Sequence, residues 1–188
     1  MNKNLIRIIA AACFVPLLVT NIQTLFFIHA FDMFKLQAFG PALLSVVLQL
    51  LPAISHLLIV VGTLFSVPGI LGTGAFLISL RNTVSLFMTT LPMAMRSHSY
   101  SSVIISALVI LSYAAIALSV FIPKRGKILG IIAAAFSLCK LIVYPVFNVK
   151  LTSPTGTVIT TICFMIGAVL IGIIFTERAR TKAEASGS

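Results

Sequence analysis

The chain has 188 residues, of which 60% are hydrophobic and 9% charged, with a formal net charge of +10. A soluble domain of this length needs about a quarter of its residues charged to cover its surface, so the composition excludes that class and predicts an integral membrane protein. The positive charge does not signal nucleic acid, because the basic residues stand in short clusters at the ends of apolar runs and build no basic face.

Six apolar runs approach the roughly twenty residues needed to cross a bilayer. They predict an all-α, polytopic (multi-pass) helical bundle, with residues 1–188 forming a single transmembrane domain. The first span, about 5–28, follows Lys3 and Arg7 and carries a polar patch of Thr20, Asn21, Gln23 and Thr24 in its outer half. Only five residues separate Arg7 from Cys13. That is too few for the apolar region of a signal peptide, roughly seven to fifteen residues, so this segment reads as an uncleaved helix. The second span, about 41–65, contains Gln49, Pro52, Ser55 and His56, and Ser66-Val67-Pro68-Gly69 forms a tight turn after it. The third, about 70–94, is interrupted by Arg81 and Asn82, with Ser85 and Thr89 continuing an i, i+4, i+8 polar stripe from Arg81. The fourth, about 102–122, leads through Pro123-Lys124-Arg125-Gly126 into the fifth, about 127–147, where Ser137, Lys140 and Tyr144 share a face. The sixth covers about 156–176, and Glu184 to Ser188 form a polar tail.

Connections this short predict antiparallel neighbours. Small residues spaced by four (Ala75/Ser79, Ser102/Ser106, Ala115/Ser119, Gly130/Ala134 and Ala168/Gly172) predict where helices approach closely. Six spans divide the basic residues unequally. Lys3, Arg7, Lys124, Arg125, Lys127, Arg178, Arg180 and Lys182 fall on the side of the termini, against Lys35, Arg96 and Lys150 on the other. Eight against three predicts both termini in the cytoplasm of a plasma-membrane protein (N-in, C-in).

Functional residues are sought among polar groups that should not be in lipid. A charge at the bilayer centre costs at least about 2.5 kcal/mol on insertion scales. Arg81 lies about 16 Å along the third span at the helical rise, and Lys140 lies at similar depth. The chain has three carboxylates, Asp32, Glu177 and Glu184, all assigned outside the spans. Both cations must then be stabilised by carbonyls, water, an anionic ligand or a partner subunit. Lys140 has an alternative, to snorkel outward beside Tyr144, and His56 can serve as a hydrogen-bonded structural residue or as a ligand contact or proton relay. Pro16, Pro52 and Pro145 each free the carbonyl four residues earlier, a feature tolerated in membranes beside protein or a water-filled cavity.

Catalysis is not expected. No paired carboxylates, no phosphate-binding Gly-rich loop and no His/Cys/acid cluster for a metal can be assembled, and the isolated Cys13, Cys139 and Cys163 and His29, His56 and His98 predict neither disulfide, metal nor cofactor. The expected role is transport or membrane-embedded binding of a small anionic or polar ligand near the midplane. Arg81 is its anchor, with Asn82, Ser85, Lys140, Tyr144 and His56 around it, since a guanidinium donates two parallel hydrogen bonds to carboxylate or phosphate. In size and topology alone, six helices with basic cytoplasmic ends resemble the substrate-binding subunits of energy-coupling-factor vitamin transporters. Phe39-Gly40-Pro41 is similar to a short segment in some of them, without its Gly-rich continuation. The second reading is a non-transporting accessory, assembly or immunity protein whose Arg81 pairs with an acid on a partner membrane subunit. In both readings the lipid bilayer is the surrounding partner.

Overall fold

The computed structural model describes residues 2–27, 39–147, 149 and 153–186, with the side chains of 25–27, 39–45, 182 and 186 excepted. His29, Asp32, Lys35 and Lys150 lie outside the described residues. What is described is all helical: α1 (Lys3–Phe27), α2 (Phe39–Leu64), α3 (Pro68–Ser85), α4 (Leu91–Ser97), α5 (Ser101–Phe121), α6 (Gly126–Val146) and α7 (Pro154–Ser186). A π-helical turn, Leu86–Thr90, joins α3 to α4, so Pro68–Ser97 runs as one span. Among the described residues, six stretches are long and apolar enough to cross a membrane.

Local chemistry adjusts two of the expected spans. The third runs through Arg81 and Asn82 as one span and widens five residues after Arg81, ahead of Pro92. Proline has no N–H and its ring crowds the carbonyl four residues back, and the wider turn answers both. Leu91 N donates to Leu86 O, five residues earlier, and Thr90 Oγ1 donates to Ser85 O at 3.3 Å. The second adjustment is the end of the last helix, which continues ten residues past 176 to Ser186. No Gly or Pro follows Gly172 within it, and Ala, Glu, Arg and Lys are strong helix formers.

The helices close into a ring. Each packs against its neighbours in sequence, and α1 packs against α7. Both termini lie at one end with the Ser66–Pro68 and Pro123–Arg125 turns, where Arg178 of α7 donates from Nη1 to Ser66 O. At this end the helices touch through small residues. A Cβ on Gly130 would meet Ala168 O at 2.5 Å, one on Gly172 would meet Gly126 O at 2.5 Å, and one on Gly74 would meet Ser55 O at 2.6 Å. The expected small pairs on α3, the later half of α5, α6 and α7 are packed here, whereas Ser102 is exposed and Ser106 half-buried. Those two serines lie at the opposite end of the ring, where the helices separate: α6 beyond Ser137 and α7 before Thr161 contain no buried residue among those described.

Candidate functional site

A cavity of about 250 Å³ lies on the axis of the ring, where the packed end gives way to the open one. Every span reaches it: α1 through Leu17 and Asn21, α2 through Pro52 and His56, and α3 through Ile78, Arg81 and Asn82. Opposite them stand Val109, Ser112 and Tyr113 of α5, Ser137 and Lys140 of α6, and Thr160 and Phe164 of α7.

One turn toward the termini, each span places a residue with zero exposure: Phe14, Ile59, Ala75, Ile116, Ala133 and Ala168. All six belong to one buried apolar cluster. Aromatic edges continue it upward, with Phe14 against Phe164 at 5.8 Å, Phe164 against Tyr113 at 5.0 Å and Tyr113 against His56 at 5.7 Å between ring centroids.

Two cations face this space. Arg81 donates from Nη1 to Asn82 Oδ1 at 3.2 Å and from Nε to Leu48 O at 3.4 Å, while Asn82 Nδ2 donates to Ile78 O at 2.9 Å. Pro52 has no N–H for Leu48 O, so α2 presents a bare acceptor where α3 presents an uncompensated donor. Lys140 of α6 lines the same cavity and makes no hydrogen bond to the described residues. It is placed at the cavity rather than beside Tyr144 at the helix end. Glu177 and Glu184 lie at the far end of α7, and no carboxylate among the described residues lines the cavity.

His56 is buried between two partners. Its Nδ1 lies 2.7 Å from Pro52 O and its Nε2 lies 2.7 Å from Tyr113 Oη. A carbonyl only accepts, so Nδ1 carries the hydrogen of the neutral ring and Tyr113 donates to Nε2. Asn21 Nδ2, 3.4 Å from His56 Nδ1, donates to Leu17 O at 2.6 Å.

The structure thus brings Arg81, Asn82, His56 and Lys140 to one cavity and leaves Ser85 and Tyr144 off its wall. Both omitted residues lie one turn toward the end where the helices diverge, which carries them away from the axis. Thr89 follows Ser85 into the π-helical turn, which breaks the four-residue repeat, and is exposed. Of the polar patch on α1 only Asn21 reaches the cavity; the Thr20 and Thr24 hydroxyls bond back to Pro16 O and Thr20 O. Sequence reasoning passed over Tyr113, Ser112 and Thr160. Tyr113 carried a signal, being a phenol twelve residues into an apolar span, where its hydroxyl requires a partner. No group of three or more metal-ligating side chains occurs among the described residues.

No protein-family model matches the chain, and neither the curated proteins nor the solved structures yield a match.

Proposed function

We propose that the chain is a multi-pass membrane protein that binds a small anion in the axial cavity, as a transporter or as the binding subunit of one. The observation that carries this reading is the convergence of Arg81 from α3 and Lys140 from α6 on one cavity whose lining holds no carboxylate among the described residues. Two such charges are costly in a low-dielectric bundle unless water or an anion compensates them. Burial of an anion there restores neutrality to one of them and supplies acceptors for both.

The cavity is smaller than the roughly 300 Å³ at which drug-sized pockets begin, which suits a ligand the size of a short carboxylate or a phosphate. Asn82 and Ser137 offer donors around it, the Ser112 and Thr160 hydroxyls being given to Leu108 O and Gly156 O, and Leu17, Ile78, Val109 and Phe164 offer apolar contact. The buried apolar cluster on the side of the termini directs access to the opposite end. With the termini cytoplasmic, as the distribution of Lys and Arg suggests, the site is in an outward-facing state. The accessory reading is less favoured, because both cations point into the ring rather than toward a helix packed on its lipid-facing side.

A thermal-shift screen of small carboxylates and phosphates on the purified chain and on Arg81→Ala tests this reading. A ligand at 100 times its Kd stabilises the fold by about 2.7 kcal/mol, and the response should vanish in the variant. If no compound raises the wild-type melting temperature, or if Arg81→Ala responds identically, the reading fails.

A further inference from the structure

His56 and Tyr113 form a polarised pair whose direction decides what the cavity shows to an anion. With Nδ1–H committed to Pro52 O at 2.7 Å, the neutral ring has a bare Nε2, and Tyr113 gives it the phenolic hydrogen at 2.7 Å. The Tyr113 oxygen then presents only lone pairs to the cavity, which repel an anion. A proton arriving at Nε2 reverses this. The new Nε2–H donates to Tyr113 Oη, and the phenolic hydrogen is released to point into the cavity as a donor. Both partners keep a hydrogen bond in either direction, so the reversal needs no movement of the helices.

We propose that the cavity takes up its anion together with one proton from the aqueous phase, held on His56 Nε2, with Tyr113 turning its hydroxyl hydrogen onto the anion. This rests on the anion reading above. In the step, one O–H bond of a hydronium ion breaks and one N–H bond forms on the imidazole, leaving an imidazolium. The phenolic hydrogen changes acceptor without leaving its oxygen.

The charges around His56 set the sign. Among the described residues, Arg81 from α3 and Lys140 from α6 are the charged groups at the cavity, and Tyr113 from α5 is the other titratable one. From α1 and α7 come only the neutral Leu17, Asn21, Thr160 and Phe164. In the empty site two cations oppose a third charge on His56. An anion between them removes that opposition, so proton and anion each favour the other's binding, and the coupling is reciprocal. Imidazole is also the side chain suited to exchanging protons near neutral pH, and no carboxylate among the described residues of the cavity wall competes for that role. Affinity for the anion therefore falls as pH rises.

Calorimetric titration of the full chain tests the coupling. The probes are lactate, methanesulfonate and chloride, which stay ionised from about pH 5.5 to about pH 8, a window that brackets the ordinary histidine range. The titrations are run in two buffers of unlike protonation enthalpy. The wild type should lose affinity for at least one probe by up to about tenfold per pH unit, the limit for one coupled proton. Its binding heat should differ between the buffers by the uptake of up to one proton. His56→Gln should bind with a flat pH profile, and Tyr113→Phe should bind more weakly and also without slope. Binding with neither pH dependence nor buffer-dependent heat overturns the coupling while leaving the anion reading intact, and so does a His56→Gln profile as steep as the wild type's. The wild-type comparison between buffers needs no variant, so a misfolded substitution does not rescue the idea. If none of the three probes binds the wild type at any pH, the anion reading and the coupling fail together.

Discussion

Arg81 Nε lies 3.4 Å from the carbonyl oxygen of Leu48, the acceptor that Pro52 deprives of its helical donor. The two irregularities answer each other across the α2–α3 contact. A proline that would leave an unsatisfied carbonyl in a membrane helix is matched by an arginine that would leave an unsatisfied cation. The bond is long, and it engages only one edge of the guanidinium. Nη1 turns to Asn82, and Nη2 has no partner among the described residues. Arg81 is held in place but not neutralised.

Lys140 is held even less. Replacing it with methionine keeps the length of the stem and removes the charge, so the ligand-free protein should become more stable by about 1–3 kcal/mol, the scale of a charge in the bilayer. The same variant should lose its stabilisation by anions. Paired unfolding curves with and without phosphate would show both changes, and a drop in ligand-free stability would contradict this account of the cavity.

Arg81→Lys separates charge from shape. An ammonium preserves the positive charge but cannot reach Leu48 O and Asn82 while also presenting a flat fork to an anion. Anion affinity should fall by about 1–2 kcal/mol, roughly five- to thirty-fold, with the fold retained. Affinity equal to wild type, measured by titration calorimetry, would reduce Arg81 to a simple counter-charge.

Two glycine substitutions probe the packed end. Gly130→Ala would place a Cβ 2.5 Å from Ala168 O, which cannot yield without moving α7, and should cost about 1–3 kcal/mol. Gly69→Ala meets nothing within 4 Å and should gain up to about 1 kcal/mol from helix propensity. Melting temperatures that shift the same way in both variants would contradict the close α6–α7 contact.

The even number of spans places Lys124, in the turn between α5 and α6, and Ser153, before α7, at opposite ends of the ring. In a chain whose native cysteines are replaced, a membrane-impermeant thiol reagent applied to intact cells should modify Ser153→Cys and not Lys124→Cys. Labelling of both from one side would refute the six-span arrangement, and the reverse pattern would invert the assignment of the termini.

Much of the architecture was legible because it follows from solvent physics. A backbone in hydrocarbon must satisfy its own hydrogen bonds, so a run of twenty apolar residues leaves little choice but a helix. The positions of Arg81, Asn82, His56 and Lys140 stood out for the same reason, as polar groups inside long apolar runs. Ser85 and Tyr144 were associated with them by helical spacing alone. Spacing gives the face of a helix and not the point along it where neighbouring helices diverge.

From the amino-acid order alone come the all-helical class, the number of apolar spans and the excess of cationic over anionic groups within them. These depend on composition and on periodicity within single segments. Only the tertiary structure decides that Arg81 and Lys140, fifty-nine residues apart in the chain, share one cavity, that Tyr113 is the partner of His56, and that a buried residue from each span joins one apolar cluster. Those relations depend on how far each helix is rotated and slid against its neighbours. That is set by close contacts such as Gly130 on Ala168 and Gly172 on Gly126, a sum of small packing energies between segments that no single segment encodes.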